Sequence, residues 1–600
     1  MNARTQDLSA GSGSGSATTA RDDVTVMVAG QGGDGSLTVI AFLSRALSQR
    51  GLDLFRTSNI ASRIKGGHAA AILRGSAVRR GCLGDKLDIL VAFDDEAIEK
   101  AGPSVADDGI VIYDVSRGPL PGGILPPTAR VIEVPFGRLA VRDLRRDLFK
   151  NCFGFGVLSR VMGLTDDEAL DCLKHRFRKL SEEDLMPNIG ALKNGFAFAD
   201  DLDMTTDHGL IELPRLEKED RIMITGNEAT AFGFLAAGGR FFAGYPITPA
   251  TDIMDWLGKR FPQFGGVAMQ AEDELAAINM VIGASLAGAK AMTASSGPGI
   301  ALMQEGIGHC GSAEIPLVIV DCQRAGPSTG MPTKPEQSDI GLMTQGAPGD
   351  FPRVVLCPGT PEECFEYGVL ATNLAQVAQC PIYIALDGLC QFTYTVPAFD
   401  LDSVEIDNGK RLSDAEISKL GEYRRYAITE DGISPWAIPG QPEGMGLMTG
   451  NERNEWGQVS TDPANRIAMV DKRARKIDSI RHRLPGAYEW GDEQAEVGVV
   501  CVGMVGDVLA EARERLAEQG TILICHRPRT LWPLLDDTVD FVKNCDRVYV
   551  VELNKSGQLA QLLKSAGAPA QKMQSILKYD GVPMSVAELV AAILEKERAR

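Results

Sequence analysis

Short apolar runs recur along this chain, several closed by a glycine- or proline-rich loop and several followed by a helical stretch. Val24-Thr-Val-Met-Val-Ala29 is the first; others lie at 87–93, 109–113, 241–245, 289–294, 315–321, 381–386, 497–503, 521–525 and 547–552. Runs this brief and this continuously apolar suit strands buried in a sheet, not helices. Between them, helices are predicted at 36–49 with Gly51 as C-cap, 157–173, 271–288, 505–518 and 585–598. The alternation predicts an α/β fold of three α/β domains. Composition sets the boundaries. Residues 9–20 are a Gly-Ser-Ala-Thr run that cannot bury apolar surface, so 1–21 is expected to be a disordered tail. The domains are expected at 22–205, 219–399 and 496–600, with a charged separator at Leu216-Glu-Lys-Glu-Asp-Arg221. Residues 400–495, rich in Pro, Gly and charge, are expected to wrap the core as long loops and short helices.

Charge and cysteine usage exclude several function classes. Lys and Arg number 61 against 80 Asp and Glu, a net charge of −19, so the overall field opposes nucleic acid and anionic membranes. The longest apolar stretches fall far short of the ~20 residues that span a bilayer, and residues 1–20 contain no apolar core of a secretory signal. The 12 cysteines are scattered, which fits reduced thiols in the cytoplasm. The closest pair is Cys357 and Cys364, so the phased thiolates of a ferredoxin-type cluster are not expected on this chain. No metal-ligand set is assigned to it.

Four loops carry candidate chemistry. Gly30-Gln-Gly-Gly-Asp-Gly35 fits G-x-G-x-x-G between strand and helix, and Asp53 stands 18 residues past Gly35, where a ribose-binding acid would be. Asp34 inside the loop would repel a pyrophosphate, and a tight turn needing glycine explains the pattern equally well. Gly66-Gly67-His68 reads as another backbone turn with a structural His. Glu272-Asp273-Glu274 opens a helix of small residues; acids there complement the helix dipole, and one of them could instead face a cofactor nitrogen. Tyr245-Pro-Ile-Thr248-Pro and Arg324-Ala-Gly-Pro-Ser-Thr-Gly-Met-Pro-Thr333 follow strands, where α/β sheets bind ligands. Arg324 with Ser328, Thr329 and Thr333 would suit a carboxylate.

Tyr245-Pro-Ile-Thr-Pro249, Glu272-Asp-Glu274-Leu-Ala-Ala, Ser295-Ser-Gly-Pro-Gly299 and Gly326-Pro-Ser-Thr-Gly-Met-Pro-Thr333, in this order and spacing, resemble the α subunit of 2-oxoacid:ferredoxin oxidoreductases, most closely the 2-oxoglutarate type. The resemblance extends over nearly the whole chain. It makes 22–205 similar to the family's γ domain, 219–399 to its thiamine-diphosphate pyrimidine-type domain, and 496–600, with Val551-Glu-Leu-Asn554 and Gly557-Gln558, to its transketolase-C-like domain. A His expected near Arg453 is absent, and no role is assigned there. Gly33-Asp-Gly35 is the only Gly-Asp-Gly and no Asn-Asn pair occurs, although Asn59 stands at a plausible distance. Half of a diphosphate–Mg2+ site is therefore missing. A β subunit is expected to supply it, together with Mg2+ and a [4Fe-4S] cluster, in an (αβ)2 heterotetramer.

What the resemblance implies is CoA-dependent oxidative decarboxylation of 2-oxoglutarate to succinyl-CoA, or its reverse, with ferredoxin as electron acceptor. Glu274 would bond the aminopyrimidine N1′ of thiamine diphosphate; it is chosen over Glu272 because its distance to Gly283-Ala284 matches the family pattern. Pro246 and Ile247 would contact the cofactor. Arg324 and Thr333 would hold the substrate carboxylate, with Thr248 beside the reacting carbon. A pyruvate or branched-chain 2-oxoacid enzyme is the rival within the class, with Lys334 or Arg324 as cations for a second carboxylate. A non-catalytic scaffold and a nicotinamide dehydrogenase are rivals outside it.

Overall fold

The computed structural model describes residues 5–6, 19–60, 67–116, 118–139, 149–202, 210–217 and 219–599. Most of the expected tail and Gly66 therefore lie outside the described residues. The chain divides into two units, residues 1–223 with 392–397, and residues 224–391 with 398–600.

In the first unit, Asp23–Gln31 is central to a mixed sheet. Leu87–Ala92, Val105–Asp114 and Arg130–Val134 continue it in parallel on one side. His68–Ser76, Asp53–Ile60 and Thr393–Pro397 continue it antiparallel on the other. The Ser36–Gln49 helix buries Phe42, Leu43 and Leu47 against the core. The expected helix at 157–173 is two helices, Lys150–Val161 and Asp166–Arg176. Gly163 turns the chain at φ 58°, and Thr165 restarts it with a capping box closed by Glu168.

Glycine at 30 and 35 meets a packing demand. A Cβ at Gly30 would lie 2.8 Å from that of Phe93, and Gly35 sits at φ 90° against Asn151. Asp34 is paired with Lys150 and accepts a hydrogen bond from the Gln31 amide, so its charge is compensated inside the fold. Asp53 makes an ion pair with Arg221 at 3.1 Å. His68 is a buried first residue of its strand.

The second unit holds two sheets. The larger runs Val267–Gln270, Phe241–Gly244, Ala291–Ser295, Leu317–Cys322, Pro381–Leu386 and Val354–Leu356 in parallel, closed by antiparallel Thr530–Trp532. The smaller has parallel Leu523–Arg527, Val497–Cys501, Arg547–Glu552 and Met573–Leu577, with antiparallel Tyr488–Gly491 at its edge. The expected bounds differ from these sheets: Thr393–Pro397, placed in the 219–399 domain, pairs in the first sheet, and Thr530–Trp532, placed in the 496–600 domain, closes the larger sheet of the second unit.

Residues 400–495 contain more order than their composition predicts. Pro463–Ile480 is a helix of 18 residues, capped by Asp462. It escapes an apolar-periodicity reading because its inward face is charged: Lys472 and Lys476, both wholly buried, reach Glu314 at 2.6 and 2.7 Å. Arg425 adds a bond to the Glu314 carbonyl at 2.6 Å. Arg453 is also wholly buried and donates to the Asn451 carbonyl, the Tyr426 hydroxyl at 3.3 Å and the Ser312 hydroxyl at 3.1 Å. The segment is latched to the core by cations. Among the described residues, no helix is long and apolar enough to cross a membrane.

Candidate active site

Three neighbouring parallel strands, Phe241–Gly244, Ala291–Ser295 and Leu317–Cys322, end on the same edge of the larger sheet. The loops leaving them carry Thr248, Ser295-Ser-Gly-Pro-Gly299 and Arg324, while Glu274 follows the neighbouring strand Val267–Gln270, and the edge beyond strand C-termini is where such sheets accept ligands. Pro246, Ile247 and Thr248 are half-buried in the first loop, while Tyr245 is exposed. The Arg324 guanidinium crosses from the third loop and donates Nη1 to the Thr248 carbonyl at 2.7 Å. Arg324 is 6% exposed, and its Nε has no hydrogen-bond partner among the described residues. Burial weakens its hold on its proton, and the nearby Asp339 and Glu274 carboxylates strengthen it.

Glu274 is the first residue of the Glu274–Leu286 helix, which Asp273 caps by accepting from the Ala276 amide at 2.6 Å. Glu274 is buried and Glu272 is exposed. The Glu274 carboxylate forms no hydrogen bond with any described residue. It lies against Gly299, where a Cβ would stand 2.7 Å from its Oε1 and 2.0 Å from Ser295 Oγ. Glycine at 299 leaves room for a buried acceptor. A ring nitrogen could pair with that acceptor, so the site fits the aminopyrimidine of thiamine diphosphate.

Thr333 is brought elsewhere. It is exposed, its carbonyl accepts from Gln391 Nε2 at 3.4 Å, and it is absent from the cavity wall. That cavity, of about 550 Å³, runs outward from Arg324. Gly297, Ser328, Glu336 and Asp339 line it on the larger-sheet side, and Asn554, Lys555, Ser556 and Tyr579 from the smaller sheet's loops. Asp339 accepts from the Gly297 amide; burial pushes its carboxyl up to about 6, with Glu336 raising it further and Arg324 opposing. Asp321, wholly buried, has neither carboxyl oxygen hydrogen-bonded among the described residues, and burial raises it well above the usual range. It pairs in register with Ser295.

The segment before Asp339 is clamped from the smaller sheet. Gln337 donates its amide to the Leu553 carbonyl at 2.8 Å, and Asn554 Nδ2 donates to the Gln337 carbonyl at 2.9 Å. Gln558 Nε2 donates to the Ser338 carbonyl at 2.7 Å and its Oε1 accepts from the Gly341 amide at 2.8 Å. Asp321, Asp339 and Lys555 were not singled out in the sequence. An acid ending an otherwise apolar strand was the one local signal, at Asp321.

Comparison with known proteins decides the family. The family model described as "Pyruvate flavodoxin/ferredoxin oxidoreductase, thiamine diP-bdg" matches residues 233–468, and "Pyruvate ferredoxin/flavodoxin oxidoreductase" matches 25–198. The alpha subunit of 2-oxoacid:ferredoxin oxidoreductase 1 from Aeropyrum pernix is 30% identical over 96% of this chain and 98% of its own. The chain belongs to the 2-oxoacid:ferredoxin oxidoreductase alpha-subunit family. Within that family, 2-oxoglutarate synthase subunit KorA of Methanocaldococcus jannaschii is 34% identical over 62% of this chain and 98% of its own. Among solved structures, the 2-oxoglutarate:ferredoxin oxidoreductase from Magnetococcus marinus, with 2-oxoglutarate, coenzyme A and succinyl-CoA bound, is 34% identical with a TM-score of 0.89, covering 96% of this chain and 100% of that one. The α/β fold expected from the sequence, with its thiamine-diphosphate-binding domain, is the fold of this oxidoreductase family.

Proposed function

We propose that this chain is the alpha subunit of a cytoplasmic 2-oxoglutarate:ferredoxin oxidoreductase that converts 2-oxoglutarate and CoA to succinyl-CoA and CO2, passing two electrons singly to ferredoxin. The observation that carries this reading is a buried carboxylate at Glu274 close enough to influence a buried guanidinium at Arg324 whose Nε has no hydrogen-bond partner among the described residues. Thiamine diphosphate, when bound, supplies the electron sink that decarboxylation of a 2-oxoacid requires. Glu274 holds its aminopyrimidine N1′, and Pro246 and Ile247 pack beside the ring. Arg324 binds the carboxylate that is lost as CO2, and Thr248 stands beside the reacting carbon. Thr333, exposed and absent from the cavity wall, is kept as a second candidate for the substrate carboxylate on the resemblance alone.

A β subunit completes the enzyme. It carries the diphosphate site, Mg2+ and the [4Fe-4S] cluster, and assembles as (αβ)2. The twelve cysteines of this chain are all buried single thiols, which suits a cluster held elsewhere. The edge strand Val267–Gln270 supports a partner: Val267 and Met269 are exposed on it, and Leu275 follows it closely and is also exposed. An apolar, unpaired sheet edge is a natural surface for another chain. The test is to co-purify the chain with its β subunit and measure viologen reduction across a panel of 2-oxoacids with CoA. The reading requires 2-oxoglutarate to give the highest kcat/KM; preference for pyruvate or a branched-chain acid would replace the substrate.

A further inference from the structure

The Pro463–Ile480 helix turns its charges inward, and this fixes which face it leaves outside. Lys472 and Lys476 are wholly buried on Glu314, and Arg473 holds Glu452 at 2.8 Å. Away from them Ile467, Val470, Ala474 and Ile477 recur at alternating three- and four-residue steps, which places them on one helical stripe. Ile467 is 63% exposed, Ala474 is exposed, and Val470 and Ile477 are half-buried.

Val470, Ala474 and Ile477 share a groove of about 320 Å³ with Phe351, Pro352, Trp532 and Pro533. Residues 350–353 lead into the Val354–Leu356 strand, and Trp532 ends the strand antiparallel to it, so the groove lies at the N-terminal edge of the larger sheet. The candidate active site lies at the C-terminal edge of the same sheet. A molecule in the groove therefore leaves that site open.

Charge selects the occupant. Asp350 and Asp478 line the groove, and Asp471 is exposed on the same helix. Neither Asp471 nor Asp478 forms an ion pair with any described residue. Arg353, the cation among the lining residues, is buried and committed inward: it donates to the Gly346 carbonyl at 2.6 Å and lies 3.9 Å from the Phe351 ring centre, with Asp350 supporting its charge. A second copy of the helix would bring its own Asp471 and Asp478 to the seam, acid near acid, which disfavours self-pairing. A segment with Lys or Arg beside its apolar side chains would pair those acids instead.

We propose that this groove is a docking site for a basic amphipathic segment of a partner protein. Its apolar side chains seat against Ile477, Phe351 and Trp532, and its Lys or Arg side chains meet Asp478 and Asp471. The assignment does not depend on the reaction proposed above.

The experiment is fluorescence anisotropy of the full chain with two labelled helical peptides of one apolar pattern, one carrying Lys and the other Glu at its polar positions. The Lys peptide is expected to bind at least ~10-fold more tightly than the Glu peptide, the scale of one charge-assisted contact, and to weaken as salt rises. Ile477→Asp is expected to weaken it by at least ~10-fold, the scale of a lost apolar anchor. Asp478→Lys, at an exposed position, is expected to weaken it with an unchanged melting curve, and this variant decides if Ile477→Asp fails to fold. Equal binding of the two peptides overturns the proposal. So does a Lys peptide that fails to bind, or that binds Asp478→Lys as tightly as the unmodified chain. If sedimentation shows that the chain pairs with itself and that Ile477→Asp separates the copies, the occupant is a second copy and the proposal falls.

Discussion

Replacing Gly299 by Ala tests whether the Glu274 pocket is built for a carboxylate. Gly299 lies within the Gly297–Leu302 helix, where Ala is favoured over Gly by about 1 kcal/mol on propensity. Any loss is therefore steric. The added Cβ would meet Ser295 Oγ at 2.0 Å, and Glu274 Cγ and Oε1 at 2.7 Å. The serine hydroxyl can rotate; the buried glutamate must retreat. Overpacking of this kind costs about 1–3 kcal/mol, which the helix preference partly offsets, so the melting temperature of the chain should fall by only a few degrees. Displacing a reacting group by about 1 Å costs on the order of 10²-fold in rate, so kcat/KM of the αβ complex should collapse while the fold survives. Adding Ser295→Ala removes the shortest clash and leaves the one with Glu274. The double variant should regain stability without regaining activity. Full activity in Gly299→Ala, or full rescue of activity by Ser295→Ala, would refute the placement of Glu274 in the reacting centre.

The remaining expectations follow from the same geometry. Glu274→Gln should lower turnover at least ~10²-fold with an unchanged melting curve, whereas exposed Glu272→Gln should be mild; steady-state viologen reduction separates them. Arg324→Ala should reduce kcat/KM for 2-oxoacids by roughly 10- to 100-fold while thiamine diphosphate affinity, measured by fluorescence titration, hardly moves, and Arg324→Lys should stay impaired because the fork is lost. Glu314→Gln should destabilise the second unit by about 3–5 kcal/mol in a denaturant titration, because Lys472 and Lys476 would be left buried without their acid. Burial opposes the charge of Glu168, but bonds from Arg50 and the Thr165 amide overcome it and hold its carboxyl down at about 2, against an ordinary 4.5. Its stabilisation is therefore present above pH 4.5 and lost as pH falls through 2. Glu168→Gln should flatten the acid limb of a stability–pH profile in that window; an unchanged slope would discard the assignment.

Legibility in the sequence followed locality. The strand at Pro381–Leu386 and the Ser36–Gln49 helix stand at the residues their apolar patterns mark, because those patterns report burial directly. The Pro463–Ile480 helix was hidden because Lys472 and Lys476 occupy its core face, inverting the usual polarity of a helix. The break at Gly163 lay inside a plausible helical pattern, and only the left-handed turn and the Thr165 cap reveal it. In the site, Glu274 and Arg324 were visible because each sits in a contiguous stretch of unusual composition. Asp339 and Lys555 were not, since 216 residues separate them and long-range bonds such as Asn554 to the Gln337 carbonyl and Gln558 to the Ser338 carbonyl bring their segments together. Asp321 reads as the end of an apolar strand until its burial is known.

We propose that this chain supplies the substrate-binding and cofactor-activating half of a 2-oxoglutarate:ferredoxin oxidoreductase. The most direct test is product analysis by mass spectrometry of the chain alone, the αβ complex, and the complex carrying Glu274→Gln, each given 2-oxoglutarate, CoA, thiamine diphosphate, Mg2+ and oxidised ferredoxin. Succinyl-CoA and CO2 are expected in equal amounts from the unmodified complex only. Product from the chain alone, or undiminished product from the Glu274→Gln complex, would contradict it.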